Sequence, residues 1–304
     1  MHRYILLLAA SLVISVSCGP SPSAPSNPAS SSLPGTFPQK GVVHWRSFLE
    51  WDETKIAEAA EAEIAIFPMS ICLSDAGQEI TGRMKEINPD LKIIGYQGLL
   101  MLSQLYSDTA TVMQNTPYEI DYHLVAQDHW AWTTTGDTLS MWPGSIFLNP
   151  FTEGEPDEGF MSDLIDLLEE YNDDRPGAID GIMHDYFMYR PYIGFGMEDV
   201  VTGDIDLDGN GVVVTEDLQE REMFLQWQID FAAGIRRRLG DDFIQIGNGR
   251  VPQENEQLAS VINGIFYEVF PNMRWNYTDL KGLEILLDNQ REGYLSQACG
   301  RTWS

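Results

Sequence analysis

The chain has 304 residues, of which 43% are hydrophobic and 11% aromatic, and this is enough for one large domain with a complete core. Its formal charge at pH 7 is −28, from 46 acidic and 18 basic residues. A field of this sign repels phosphate backbones, so we expect no nucleic-acid partner. We also expect a monomer. The acid excess fits a protein of saline surroundings and an ordinary acidic secreted protein about equally well.

The first 17 residues have the pattern of an export signal. A short basic start, "MHR", precedes the apolar run "YILLLAASLVISV", and small residues with a cysteine follow in "SVSC". The apolar run is short for a membrane span. The pattern resembles a bacterial lipoprotein signal that is cut before Cys18 and lipidated there, although Ser15 stands where the motif usually has Leu. The alternative is an ordinary secretory signal with an incidental cysteine.

Residues 18–40 predict a disordered tether. The stretch "GPSPSAPSNPASSSLPGTFPQK" is rich in Pro and Ser and has no apolar period, so it cannot bury a core. A tether directly after a lipidated cysteine suits a protein anchored to a bacterial membrane, at the cell surface or in the periplasm, and it favours the lipoprotein interpretation. The remaining cysteines, Cys72 and Cys299, could pair in an oxidising compartment, but we expect two unpaired thiols.

Residues 41–304 form one predicted domain in which strands alternate with helices. The predicted strands are 41–45, 64–68, 91–97, 178–187, 243–249 and 264–271, with a further candidate short strand at 145–149. The predicted helices are 53–63, 78–88, 157–171, 215–240 and 277–290. Alternation of this kind indicates a parallel sheet in an α/β fold.

The predicted strands end on polar and aromatic residues. These are His44 and Trp45, Ser70, Tyr96 and Gln97, Asp185, Asn248, and Glu268. In a (β/α)8 TIM-type barrel such ends gather at one face, where the βα loops build the active site. The alternative is an open doubly wound sheet with a site at its switch point. Six strands are fewer than a closed barrel needs, so either the barrel is incomplete or the chain is a C-terminally truncated fragment, and we favour the fragment.

Two of these strand ends carry carboxylates, Asp185 and Glu268. Burying a carboxylate without a partner is costly, so Asp185, near the end of the apolar stretch "AIDGIMHDYF" (178–187), is either satisfied locally or placed to react. Hydrolysis of a glycosidic bond needs two carboxyl groups, one as proton donor and one as nucleophile or base. The candidate substrate-binding residues are aromatic side chains that can stack on sugar rings and one amide: Trp45, Tyr96, Tyr186, Asn248 and Tyr267.

The same residues have structural alternatives. Asp185 could cap a loop or pair with Arg190. Glu268 could form a salt bridge with Arg250 or Arg274. The aromatic side chains could simply pack their own loops, and for any single tryptophan this is the better expectation.

A zinc hydrolase is not expected. Such barrels usually carry a pair of histidines on an early strand, whereas "HWR" at 44–46 has only one. His184 precedes Asp185 and therefore faces the other side of the strand, because successive side chains of a strand point to opposite faces. We expect it to be a hydrogen-bonded packing residue.

The residues around Asp185 resemble a known group of enzymes. "DGIMHDYF" is similar to the "DGxxxD" strand of bacterial glycoside hydrolases with a (β/α)8 barrel, including the hypothetical glycosyl hydrolases and the α-1,4-polygalactosaminidase-like group. "HW", "IIGYQ" and "FLNPFTE" fit the same order, so the resemblance covers residues 41–272. It implies a retaining or inverting glycosidase with Asp185 as a catalytic carboxylate, and we choose Glu268 as its partner. The alternative is a non-catalytic carbohydrate-binding surface lipoprotein on the same scaffold.

The most detailed local motif is an acidic loop, "DLDGNGVVVTED" (206–217). Its spacing predicts a structural Ca²⁺ site with five ligands, namely Asp206, Asp208, Asn210, the carbonyl of Val212, and Asp217. The pattern resembles the loops of EF-hands and dockerins, with Asp where Glu is usual at the last position. The segment before it is broken by Pro and Gly, so we expect an insert beside the Asp185 face and no calcium sensor. The alternative is an acidic turn that binds no metal.

Overall fold

The strands of the protein are short and mostly apolar. The computed structural model describes residues 12–14, 39–43, 51–98, 100–103, 116–133, 136–139, 145–185, 187, 205–214, 216–248 and 256–266. Within these residues the strands are β1 (Leu12–Ile14), β2 (Gln39–Val43), β3 (Ile64–Pro68), β4 (Lys92–Gly98), β5 (Met101–Ser103), β6 (Ser145–Phe147), β7 (Phe151–Thr152), β8 (Glu155–Pro156), β9 (Gly181–Asp185), β10 (Ile244–Asn248) and β11 (Gly264–Phe266).

The helices begin at capping side chains that can be recognised in the sequence. They are α1 (Glu53–Ala60), α2 (Met69–Cys72), α3 (Asp75–Ile87), α4 (Pro117–Ala126), α5 (Glu158–Asp174), α6 (Leu218–Leu239) and α7 (Glu256–Val261). In five of them the residue before the helix accepts a hydrogen bond from a backbone N–H of the first turn, and these caps are Asp52, Ser74, Thr116, Asp157 and Asp217. Among the described helices, none has the length and apolar character that crossing a bilayer requires.

The central sheet has seven strands in the order β1-β2-β3-β4-β9-β10-β11. β1 pairs antiparallel with β2, and every other neighbouring pair is parallel. The predicted α/β fold with a parallel sheet is therefore confirmed. A doubly wound sheet has a point where the strand order reverses, whereas the order here follows the chain throughout. Among the described strands, no pairing joins the two ends of the sheet into a closed barrel.

The two faces of the sheet bury separate apolar clusters. One face carries alternate residues of the strands, and this cluster consists of Ile64, Ile66, Ile94, Met183, Ile244, Ile246 and Phe266. The opposite face, with Ala65, Phe67, Ile93 and Ile182, belongs to the large cluster that also contains the buried side chains of the helices. We call the face that carries the small cluster the inner face and the opposite one the helix-covered face. Strand side chains alternate between the two faces, so the position of a residue along its strand decides on which face its side chain lies.

Several elements differ from the sequence prediction. The candidate strand at 145–149 is present as β6, but it pairs antiparallel with β5 and does not join the central sheet. β2 begins at Gln39, inside the predicted tether, and β1 lies inside the predicted signal. Helix α4 and the β7–β8 hairpin were not predicted, because their segments lack a clear apolar period. The predicted helix at 277–290 lies outside the described residues.

The buried thiol and the buried imidazole both belong to the helix-covered side. Cys72 is a buried free thiol, as expected. The His184 ring is fully buried, stacks on Phe187 and shares a 3.0 Å hydrogen bond between Nε2 and Oε1 of Gln245. This confirms the packing role predicted for His184. Burial lowers its pKa to about 4, although the hydrogen bond to Gln245 acts in the opposite direction.

We expect His184 to make the stability of the protein depend on pH. The unfolded chain, with a histidine pKa near 6.5, binds a proton more readily than the folded chain, so the stabilisation is complete above pH 6.5 and is lost as the pH falls towards 4. The difference amounts to about 3 kcal/mol at most. His184→Gln should flatten this part of the curve of unfolding free energy against pH, measured by chemical denaturation. An unchanged slope between pH 6.5 and 4 would show that His184 is not the group responsible.

Candidate functional site

Three polar side chains meet at the carboxyl edge of the parallel sheet. Asp185 is the last residue of β9, Asn248 is the last residue of β10, and Tyr96 lies near the end of β4. β4 and β10 are the two neighbours of β9. Met183 and Ile246 belong to the inner cluster, so Asp185 and Asn248, each two residues further on, extend the same face. The site therefore continues the inner face beyond its apolar part.

Asp185 is held by donors from both neighbouring strands. The Tyr96 hydroxyl donates to Oδ2 of Asp185, and Nδ2 of Asn248 donates to Oδ1 over 2.7 Å. Each carboxylate oxygen thus accepts one hydrogen bond, and such bonds stabilise the ionised form of the carboxyl group. The two hydrogen bonds fix the orientation of the carboxylate.

The two acidic residues of the "DGxxxD" pattern have different places. Asp180 lies just before β9, where its Oδ2 accepts from the backbone N–H of Ile93 over 2.8 Å and pairs with Nζ of Lys85 at 2.8 Å. Gly181 is needed because a Cβ there would come within 2.1 Å of the Ile244 carbonyl oxygen. Asp180 and Gly181 therefore hold the neighbouring strands together at the start of β9. Only Asp185 lies at the carboxyl edge of the sheet, where β9 ends.

The structure brings together three of the seven predicted catalytic and substrate-binding residues, Tyr96, Asp185 and Asn248. The other four lie outside the described residues, as does the predicted lipidation site Cys18, and they are Trp45, Tyr186, Tyr267 and Glu268. Two tryptophans of the predicted loops are described: the rings of Trp130 and Trp132 have centroids 6.4 Å apart, and Trp132 is 48% exposed. The exposed ring offers an aromatic surface, whereas Trp130 packs against the core.

The acidic loop precedes α6 and is ordered by its own side chains. Asp206 accepts from the backbone N–H groups of Asn210 and Gly211, at 3.1 and 2.9 Å. Nδ2 of Asn210 donates to Asp208 at 2.9 Å and to Asp217 at 2.7 Å. Gly211 has a φ of 85°, as the sharp turn of the loop requires. Hydrogen bonds that involve side chains therefore connect four of the predicted ligands, namely Asp206, Asp208, Asn210 and Asp217.

A buried carboxylate that was not predicted completes this cluster. Glu220, in the first turn of α6, has no solvent exposure, and one of its oxygens lies within 4.8 Å of oxygens of Asp206 and Asp208. Its Oε1 accepts from the backbone N–H of Leu207, whereas its Oε2 is buried and has no hydrogen-bond partner among the described residues. In the sequence Glu220 resembles an ordinary acidic residue in a helix first turn, which explains why it was missed.

The cluster is electrostatically unfavourable without a cation. The pKa of Glu220 is raised to about 8, mainly by burial and also by the nearby carboxylates of Asp208, Asp206 and Asp217, while the hydrogen bond from the Leu207 N–H acts in the opposite direction. Burial also raises the pKa of Asp208. Asp217 differs, because its hydrogen bond from the Glu220 backbone N–H lowers its pKa. The charge of the cluster is thus poorly compensated around Asp208 and Glu220.

The acidic loop is attached to the β7–β8 region. Nδ2 of Asn149 donates to the Leu207 carbonyl over 2.9 Å, and Ile205 forms an antiparallel bridge with Thr133. Gly154 comes so close that a Cβ there would lie 3.1 Å from the Asp208 carbonyl oxygen. The loop thus joins the start of α6 to segments that follow β4 and β6 in the chain.

A cavity of about 410 Å³ lies at the opposite end of α6. It is lined by Ala233, Arg236, Arg237, Gly240, Asp241 and Val261. These residues surround the C-terminus of the helix, whereas Asp185 and the acidic loop belong to the edge at which α6 begins. We therefore assign no part of the candidate site to this cavity.

Comparison with known proteins finds distant similarity only. No model of a protein family matches the chain, and no curated protein matches it. The structure is similar to the chitinase domain of the spore coat protein CotE from Clostridium difficile, with 15% identity, a TM-score of 0.43, and coverage of 90% of this chain and 67% of that one. It is also similar to Eubacterium rectale Amy13B, with 10% identity, a TM-score of 0.40, and coverage of 74% and 47%. Both TM-scores are below 0.5, so neither likeness is used to infer a function.

Proposed function

We propose that the protein is an exported, membrane-anchored glycoside hydrolase that cleaves a polysaccharide or oligosaccharide with the carboxylate pair Asp185 and Glu268. One observation carries the proposal: Asp185 stands at the carboxyl edge of a parallel sheet, oriented by Tyr96 and Asn248 from the two adjacent strands. In folds of this class the loops at that edge form the binding site.

The surroundings of Asp185 support a chemical role. The inner face below it is apolar, with Met183 and Ile246 preceding Asp185 and Asn248. A carboxylate at the edge of such a face costs free energy that a purely structural residue would avoid. A phenol and an amide donate hydrogen bonds to its two oxygens, and these bonds orient the carboxylate at the edge of the sheet.

The same contacts support a proposal for the roles within the pair. A carboxylate that accepts two hydrogen bonds is stabilised as an anion, so Asp185 serves as the nucleophile, or as the base that activates water. The general acid must then be the other group, for which we propose Glu268. β11 ends at Phe266, two residues before Glu268, and it pairs directly with β10. This nearness in the sequence to the end of β11 is the reason that we choose Glu268 as the acid.

We also propose that the sheet is part of a (β/α) barrel. Parallel strands in chain order, helices on one face and a separate small cluster on the other are what a barrel wall requires. The proposed partners are the carbohydrate substrate and, through Cys18, a membrane; a nucleic-acid partner is not proposed.

A non-catalytic carbohydrate-binding protein is the second candidate. The half-exposed ring of Trp132, next to Trp130, favours binding of sugars whether or not they are cleaved. A crystal structure of the Asp185→Asn chain with a bound oligosaccharide tests the first candidate against the second. We expect a glycosidic oxygen between position 185 and Glu268. A sugar bound only at Trp132, away from position 185, would favour the binding protein.

The membrane anchor rests on the sequence of the first 40 residues. Replacing the lipidated thiol removes the acyl attachment and leaves the export signal in place. We therefore expect the Cys18→Ser protein to be exported but recovered in the soluble fraction when cells are separated into membranes and soluble contents. Recovery of this variant with the membranes, in the same proportion as the wild type, contradicts the anchor.

A further inference from the structure

We propose that Glu220 supplies the closing carboxylate of a Ca²⁺ site in the acidic loop, with Asp206, Asp208, Asn210 and the Val212 carbonyl, and that Asp217 is primarily the cap of α6. The site therefore departs from the loop pattern, which puts the last ligand at position twelve and so at Asp217. The proposal concerns a metal site and does not depend on the proposed glycoside hydrolase activity.

The position of Glu220 is the first support. Its side chain is completely buried, and Oε2 has no hydrogen-bond partner among the described residues. A buried carboxylate oxygen without a partner is unfavourable unless a cation satisfies it. The oxygens that Glu220, Asp206 and Asp208 offer lie within 4.8 Å of one another. Ligands about 2.4 Å from a calcium ion can be separated by up to about 4.8 Å, so one ion can touch all three.

The role of Asp217 is the second support. Its Oδ1 accepts from the backbone N–H of Glu220 over 3.0 Å, which is the hydrogen bond of a helix cap. Its Oδ2 accepts from Nδ2 of Asn210. The carboxylates whose oxygens lie within 4.8 Å of one another are those of Asp206, Asp208 and Glu220, and this group does not include Asp217. Glu220 also retains one buried oxygen without a hydrogen-bond partner among the described residues.

The amide of Asn210 completes the argument. Nδ2 lies between Asp208 and Asp217 and donates to both, so a positively polarised N–H₂ group occupies the space between two carboxylates. A cation held by Asp206, Asp208 and Glu220 would favour the opposite orientation of the amide, with Oδ1 towards the ion. This change rotates the terminal amide of an exposed side chain and gives up the hydrogen bond that Oδ1 accepts from the backbone N–H of Val212 over 2.7 Å.

The chemistry of the ligands selects calcium. All the proposed ligands are oxygens, from carboxylates, an amide and a carbonyl, which suits a hard cation. Magnesium demands closer octahedral geometry and keeps several waters, so a loop with this many protein oxygens suits calcium better. Because Glu220 belongs to α6 and Leu207 is bound by Asn149, an ion there would fasten the helix to the loop and the β7–β8 region.

The test is calorimetric titration of the purified chain with CaCl₂ after removal of metals by a chelator. We expect the wild type to bind Ca²⁺, and Glu220→Gln and Asp208→Asn to weaken binding by more than about tenfold, since even second-sphere changes cost 10–100-fold in metal affinity. Asp217→Asn should change the affinity by less than about threefold, because asparagine is an equally good cap. Glu222→Gln, an exposed change of the same charge on the same helix, should have no effect.

Thermal melts separate a ligand from a structural residue. Ca²⁺ should raise the melting temperature of the wild type but not that of Glu220→Gln, Mg²⁺ should have a smaller effect, and in chelator the variant should melt no lower than the wild type. Three results overturn the proposal: no calcium binding by the wild type at millimolar concentration, loss of binding in Asp217→Asn with retention in Glu220→Gln, or an equal destabilisation by Glu220→Gln with and without calcium.

Discussion

Asp185→Asn should lower the rate of glycosidic bond hydrolysis by about 10³-fold or more, with little change in substrate binding. An amide can neither attack a sugar carbon nor accept a proton from water, so the reaction loses one of its two essential groups. The fold should persist, because the new amide oxygen can still accept from the Tyr96 hydroxyl. The side-chain amide of Asn248 can rotate to accept from the new N–H₂ group. Turnover and binding affinity measured on the same oligosaccharide check this expectation.

Asp180→Asn is the matched control for that variant. It makes the same chemical change five residues earlier, at the other end of β9, where the carboxylate pairs with Lys85. We expect a small loss of stability, of about 1 kcal/mol because the ion pair is partly exposed, and activity near that of the wild type. Normal turnover in Asp185→Asn, or an equal loss in a folded Asp180→Asn protein, would remove Asp185 from the mechanism.

Glu268→Gln should have the second large effect and should also change the pH dependence. The wild-type plot of kcat/KM against pH should be bell-shaped, because Asp185 must be ionised and the acid must hold its proton. The rate should therefore fall at low pH as Asp185 is protonated and at high pH as Glu268 loses its proton. In Glu268→Gln we expect a loss of about 10²-fold or more and no fall at high pH. Full activity in this variant would show that the acid is a different residue.

The sequence could predict the strands and the face to which each side chain belongs. Alternation with period two separated His184 from Asp185, and the structure places His184 against the helices and Asp185 at the site edge. The strand at 64–68 is present with the same bounds. The position of an apolar strand and the alternation of its side chains depend on the order of apolar and polar residues along the chain, so both could be predicted without a structure.

The contacts between distant residues could not be predicted. Tyr96 and Asn248 were candidates because they end strands, but their joint hydrogen bonding to Asp185 depends on the register of three strands, which no local pattern fixes. Glu220 was missed for a related reason. It lies outside the twelve-residue motif, and its carboxylate comes within 4.8 Å of Asp206 and Asp208 only in the folded chain.

The most direct test of the central claim is the release of new reducing ends from a panel of polysaccharides by the purified wild-type chain, with Asp185→Asn as the blank. A glycoside hydrolase that acts through Asp185 must generate reducing ends from at least one member of the panel, and the blank must generate none above background. A chain that binds a polysaccharide of the panel and releases no reducing ends would contradict the account, and so would equal release by the wild type and the variant.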